Sequence, residues 1–332
     1  MRIENLTKLI EGELLNSPSV TYIDQIRINP KSVKRGDAFL TTDATDIDIA
    51  IQNGAYAIIH TEEVTITDKE IAWIRVEDIQ KSIIRYLRFK IVQSGFDIYY
   101  VNDIVFQTIK TTISAKNIIF LDDDIMKNFL KVINADIDTT FISNRLSFVK
   151  EIDPSFKKIE KSDKNFIKPI KSSLFQMDFI CDGIYHKEIK IPKIFINFLN
   201  DALKFLKERD FGYDISKIAI HSHFEPIFID NMLNIKEYGE TNRVLIIESD
   251  ETMMEDEIRY LCQYAKYAKN CVLTKNGTND KQECIDMVNY EKDFDISVLK
   301  RYNANFYLIN EERDKILNEL TSYQKKREKT LF

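Results

Sequence analysis

The sequence predicts an α/β protein laid out as three successive units, with a parallel sheet in the central one. Short runs of β-branched and aromatic residues alternate with longer segments whose apolar positions recur at helical spacing. Strands linked by helical crossovers pair in parallel with right-handed connections. The length of 332 residues exceeds what one core usually serves, so two or three domains are expected. A composition of 44% hydrophobic and 30% charged residues fits a globular chain, neither disordered nor fibrous.

The first unit, residues 1–93, begins with a helix over 6–15, where Leu6, Leu9, Ile10 and Leu14 share a face. Strands follow at 38–40, 57–59 and 73–75. A helix over 79–92 then carries Ile83, Ile84, Leu87 and Ile91 on one side. The second unit, 94–240, opens with a strand at 96–101 and a helix at 103–115 with Val105, Phe106, Ile109 and Ile113 in register. A strand at 117–121, a helix at 124–134 started by Asp124, and a strand at 139–142 continue the alternation. Residues 150–171 are rich in Lys, Asp and Ser with two prolines, and are expected to form an exposed connection. Two apolar runs, 174–180 and 185–191, joined by Cys181-Asp182-Gly183, read as a β-hairpin before a helix ending near Phe211-Gly212. The third unit, 241–332, has strands at 243–247, 271–274 and 306–308, a helix at 254–269 and a final helix.

Charge and cysteine usage exclude several classes. A net charge of −6 argues against a nucleic-acid partner, which would need a basic face to displace counterions. The cluster Lys325-Lys326-Arg327 with Lys329 ends a helical pattern and is expected to be solvated. No apolar run approaches the roughly 20 residues of a membrane span. The start, Met1-Arg2-Ile3-Glu4-Asn5, carries an acid and does not resemble a secretory signal, so a cytoplasmic location is expected. Cys181, Cys262, Cys271 and Cys284 form no C-x-x-C pair and lack neighbouring histidines; reduced, buried thiols are expected.

The stretch from Asn29 to Leu40 combines a polar turn closing on Gly36 with a short apolar strand, and Gly54-Ala55 feeds the next strand. It resembles the amino-terminal domain of the Mur ligases, which add amino acids to the UDP-MurNAc precursor of peptidoglycan. Their pattern runs approximately D-S-R-x-V-x-x-G-D-x-F, then A-I-x-x-G-A. Val33, Gly36, Asp37, Phe39, Ala50, Ile51, Gly54 and Ala55 match, while Asn29, Pro30 and Lys31 replace the D-S-R triplet. The resemblance implies a three-unit Mur-ligase-like architecture: a UDP-binding-type first domain, a central ATPase-like domain shortened here, and a small Rossmann-like carboxy-terminal domain. The family's G-x-H-N-x-x-N-A helix start is echoed by Asn200 and Ala202, with Phe195 about where the histidine would stand. Lys31, Ser32, Gly36, Asp37 and Gly54 are the candidate contacts to a UDP precursor, Lys31 as a point charge for its diphosphate.

The resemblance also implies an ATP loop, G-T-N-G-K-T-T, following a strand. Glycine is needed there because the backbone must approach the phosphates closely and adopt positive φ. By position, Asp103 and Phe106 occupy glycine places, Gln107 the lysine place, and Thr108 follows. By identity, Lys110-Thr111-Thr112 copies K-T-T, but Ile109 replaces the glycine and the lysine falls two turns inside a helix. The positional frame is preferred, because a strand-to-helix junction creates an anion site. Gln107, Thr108, Lys110 and Thr111 are thus vestigial nucleotide candidates at most.

Two apolar strands end in acids, 118–124 and 244–250, and Asp122 is a weak candidate magnesium ligand. His221-Ser222-His223 would place both imidazoles on one side of an extended segment, but without a ligand partner the expectation is a loop pair, not a metal site. Asn276-Gly277-Thr278-Asn279-Asp280-Lys281 resembles a phosphate loop superficially and is expected to be a polar turn. Together these imply a Mur-ligase-like binding or scaffold protein without ligase activity or bound cofactor. Its candidate partners are a UDP-MurNAc-type precursor and other cell-wall synthesis proteins. The alternative is an active amide ligase using ATP and Mg²⁺ at an atypical site built from Lys110, Thr111 and Asp122.

Overall fold

The structure is a computed structural model and describes residues 1–275, 284–290 and 294–330, with side chains described up to residue 326. Contacts divide the chain into two compact units, residues 1–101 with 116–158, and residues 102–115 with 159–332. The segment 94–240 contributes to both.

The first unit opens with α1 (Ile3–Leu9), β1 (Glu13–Leu14), β2 (Ile26–Arg27), β3 (Ala38–Leu40), α2 (Ile47–Gln52), β4 (Ala57–His60), β5 (Ala72–Arg75) and α3 (Ile79–Ser94). Their sheet has the order β1-β5-β4-β3-β2, with β2 to β5 parallel and β1 antiparallel at the edge. The helix expected over 6–15 stops at Leu9 because Glu11 takes a φ of 51°, which turns the chain so that Leu14 pairs with Ile74. Strands β3 and β4 are buried on both faces. Ala38, Leu40, Ala57 and Ile59 join the core shared with α1 and α3, whereas Phe39, Ile58 and Trp73 pack beside Ile47 and Ala50 of α2.

Next come β6 (Asp97–Tyr100), α4 (Asp103–Thr112), β7 (Ile118–Phe120), α5 (Ile125–Ile133), β8 (Thr140–Ser143), α6 (Leu146–Ile152) and β9 (Lys157–Lys158). Except for α4, these belong to the first unit. The strands form an all-parallel sheet, β7-β8-β6-β9. Asp124 caps α5 as expected, accepting from the Lys127 N–H at 3.0 Å. Tyr86, Leu87 and Ile91 of α3 share one core with Phe129 and Val132 of α5 and Phe148 and Val149 of α6.

The second unit contains α4, β10 (Lys168–Ser172), β11 (Met177–Cys181), β12 (Ile184–Ile189), α7 (Ile196–Glu208), β13 (Glu225–Phe228), β14 (Val244–Glu248), α8 (Met254–Tyr264), β15 (Asn270–Thr274), β16 (Asp286–Asn289), α9 (Val298–Arg301), β17 (Phe306–Asn310) and α10 (Arg313–Thr330). Strands β10 to β12 are antiparallel, and the expected hairpin turns through Asp182 and Gly183, at φ of 52° and 78°. A five-stranded sheet, β13-β14-β17-β15-β16, is parallel except for the edge strand β13. Alternate residues feed two cores: Ile246, Val272 and Leu308 face one, while Leu245, Leu273 and Tyr307 face the other.

Two expectations are corrected. Residues 150–171 are not a bare connection: they supply the end of α6, β9 and β10. All five β10 side chains are exposed, so composition reported exposure while the backbone pairs with β11. The cysteines are not all reduced, because Cys262 on α8 and Cys284 are joined by a disulfide; Cys181 and Cys271 are free and buried. The two bridged cysteines are 22 residues apart, a spacing with no motif to announce it. The loop at 276–281 lies outside the described residues.

Candidate functional site

In the first unit, Asn29 starts a single 3₁₀ turn (Pro30–Ser32), accepting from the Lys31 N–H at 3.0 Å, and Ser32 Oγ donates to the Asn29 carbonyl at 2.8 Å. Gly36 (φ 100°) donates its N–H to the Gly54 carbonyl at 3.2 Å, and Gly54 has φ 94°. A Cβ on Gly54 would stand 3.0 Å from the Arg35 Cα, so the two turns meet backbone to backbone. The Asp37 carboxylate, 3% exposed, accepts from Arg27 Nε at 3.1 Å and the Lys34 N–H at 3.0 Å. The structure therefore brings Gly36, Asp37 and Gly54 together, but each is used by the fold; Lys31 and Ser32 remain exposed. This turn precedes β3, and Gly54 precedes β4. Both lie at the amino ends of parallel strands, whereas open α/β sheets commonly take ligands at the carboxyl ends.

In the second unit, α4 starts where the positional frame places a phosphate loop. Asn102 Oδ1 accepts from the Val105 N–H at 2.9 Å, occupying a donor that an anion would need. The Asp103 carboxylate accepts from Gln107 Nε2 at 2.5 Å. Gln107 also bonds the His221 backbone twice, at 2.7 Å to the N–H and 3.0 Å to the carbonyl. Thr108 is buried and donates to the Ile104 carbonyl. Thr111 donates to the Gln107 carbonyl and accepts from the Ala219 N–H at 3.2 Å. Lys110 is exposed, its ammonium 5.6 Å from the Phe106 ring. Gln107 and Thr111 thus fasten α4 to the 219–221 segment.

The buried His223 and Glu248 meet within this unit, with the partly exposed Asp103 on the other side of the ring. The His223 Nε2 lies 2.9 Å from Asp103 Oδ2 and its Nδ1 2.8 Å from Glu248 Oε1. Glu248, the last residue of β14, is fully buried and also accepts from the Asp250 N–H at 2.7 Å and the Phe224 N–H at 3.3 Å. Burial opposes charge on the imidazole, but hydrogen bonds and attraction from the two carboxylates win and raise its pKa to about 9. Behind it on α8, Glu257 is buried; desolvation first, then the Glu248 charge, push its pKa well up. With both ring nitrogens donating, the imidazolium has no lone pair for proton abstraction. It ties α4, the 221–224 segment and β14 together.

Both histidines lie in a loop as expected, but not on one side of an extended segment. Ser222 has φ 64°, so the segment is not extended and residues 221 and 223 do not share a side. The His221 side chain is 70% exposed, and that of His223 is 3% exposed. Sequence missed the cluster because its partners lie 120 and 25 residues away. Asp122 accepts from Lys131 Nζ at 2.9 Å and from the Asp124 N–H at 2.9 Å. It belongs to the first unit, while Lys110 and Thr111 belong to the second. Among the described residues, no group of three or more His, Cys, Asp or Glu side chains is arranged to hold a metal ion. No helix among them is long and apolar enough to cross a membrane.

No protein-family model matches the sequence, and no curated protein does. Solved structures do match. The chain is similar to MurF ligase from Thermotoga maritima, solved in complex with ADP, with 12% identity and a TM-score of 0.52 over 91% of this chain and 98% of that one. It is also similar to MurF from Acinetobacter baumannii, with 8% identity and a TM-score of 0.50 over 96% and 98%. The fold is that of the Mur ligases. Within that Mur-ligase fold, the described helix α4 begins with an asparagine cap and an aspartate, and no glycine occurs between Gly95 and Gly183.

Proposed function

We propose that this chain is a Mur-ligase-like binding or scaffold protein of peptidoglycan precursor metabolism that lacks ATP-dependent ligase activity. One observation carries the reading: the amino end of α4 is closed by its own side chains. Nucleotide phosphates bind such an end through free N–H groups and a favourable dipole. Here Asn102 takes the Val105 N–H, and the Asp103 carboxylate would oppose a phosphate with like charge. Gln107, in the lysine place, is committed to the His221 backbone.

The precursor side of the reading rests on the exposed Lys31 and Ser32, beside the rigid Gly36–Gly54 contact. Lys31 supplies a point charge for a diphosphate. Titration with UDP-MurNAc-tripeptide by calorimetry is expected to give saturable binding that weakens in Lys31→Ala. Melting curves are expected to stay flat up to millimolar Mg-ATP. A nucleotide at 100 times its dissociation constant would add about 2.7 kcal/mol. Such a rise would reinstate the reading of an active ligase with an atypical nucleotide site. Absence of heat with the precursor would remove the binding half of the proposal.

A further inference from the structure

A cleft of about 540 Å³ opens within the second unit between the 218–228 segment, the 235–238 turn and α10. Its size suits a small molecule. The floor is aromatic: Phe175 lies 5.7 Å from Phe224 and 6.1 Å from Phe228, and Tyr238 extends this wall 4.9 Å from Phe228.

The rim carries cations whose charges are unequally spent. Arg313 is paired with Glu225 at 2.7 Å. Lys236 stands 3.7 Å from Asp230, whose oxygens already accept from the Met232 and Asn234 N–H groups and the Asn234 amide. Lys190 sits over the Tyr238 ring at 5.1 Å and has no carboxylate partner among the described residues.

We infer that this cleft binds a small amphipathic anion. Its flat apolar body lies against Phe228 and Tyr238, and its carboxylate, sulfonate or phosphate group meets Lys190 and Lys236. A cation would be repelled by Lys190 and Lys236, while a neutral ring would gain nothing from them. Burial of the ring against aromatic faces supplies affinity, and the two ammonium groups set the sign of the ligand. The inference is independent of the precursor reading, which concerns the first unit.

The probe is 8-anilinonaphthalene-1-sulfonate, followed by fluorescence on the native full-length chain, with the uncharged N-phenyl-1-naphthylamine as its comparison. Saturable one-to-one binding of the sulfonate is expected. Affinity should fall about tenfold, the equivalent of about 1.4 kcal/mol, in Lys190→Gln/Lys236→Gln, with the uncharged probe unaffected. Tyr238→Ala should weaken both probes. Melting temperatures of the variants establish that they fold, and the single variant Lys190→Glu replaces the double one if that melts early. The inference is overturned by unsaturable sulfonate binding, by unchanged affinity in the lysine variants, or by equal affinity for the uncharged probe.

Discussion

The Gly36–Gly54 contact and the start of α4 are both tight turns before a regular element, and they are built in opposite ways. In the first, two backbones approach so closely that a Cβ has no room, and both residues hold positive φ. In the second, side chains fill the end of the helix: Asn102 caps it, and Asp103 receives Gln107 and His223. Glycine stands where the chain meets itself, and none stands at the start of α4. The first turn is thus held by close backbone approach, and the second by hydrogen bonds among polar and charged side chains.

The sharpest way to break this comparison is to delete the cluster's cation. His223→Ala leaves Asp103 and the fully buried Glu248 without their shared partner. Breaking a buried pair from one side costs about 3–5 kcal/mol. Urea denaturation should show a loss of that size, and a loss below about 1 kcal/mol would mean that the cluster does not hold α4 in place.

The same imidazolium fixes a pH dependence of somewhat smaller size. His223 keeps its proton up to about pH 9 in the folded protein, against 6.5 for an ordinary imidazole. Its stabilisation, roughly 3 kcal/mol, is thus fully present below 6.5 and is lost as pH rises through 9. The decline between these values should vanish in His223→Ala. An equal slope in both proteins would assign the titration elsewhere.

What the sequence revealed follows from the range of the interactions. Local signals read correctly: Ala38–Leu40, the start of α4 at Asp103, the Asp124 cap and the Asp182-Gly183 hairpin turn each depend on a few neighbouring residues. Contacts between distant segments did not. His223 looked like half of a loop pair because Asp103 and Glu248 are remote in sequence, and Cys262–Cys284 carries no spacing motif. In β10, exposure hid pairing. For Gly36, Asp37 and Gly54 the motif was legible, but only the structure shows that their hydrogen bonds serve the fold.

Gly54→Ala tests the other side of the comparison. The new methyl group would meet Arg35 backbone at 3.0 Å with φ at 94°, and neither can relax cheaply. A cost of about 1–3 kcal/mol is expected, the range for an L-residue held in a sparsely populated backbone region. A neutral result would show that the turn does not need glycine.

The mildest substitution probes the closure of α4 directly. Asn102→Ala removes the acceptor of the Val105 N–H, and lost caps typically cost about 1 kcal/mol, whereas Asn102→Asp keeps the acceptor and should be nearly neutral. The comparison is sharpened if Val105 amide exchange accelerates only in the alanine variant. If Asn102→Ala costs nothing and exchange is unchanged, the N–H is already answered by water. The helix end would then be open in the way a phosphate requires, and side-chain closure could no longer support the proposed lack of ATP-dependent activity.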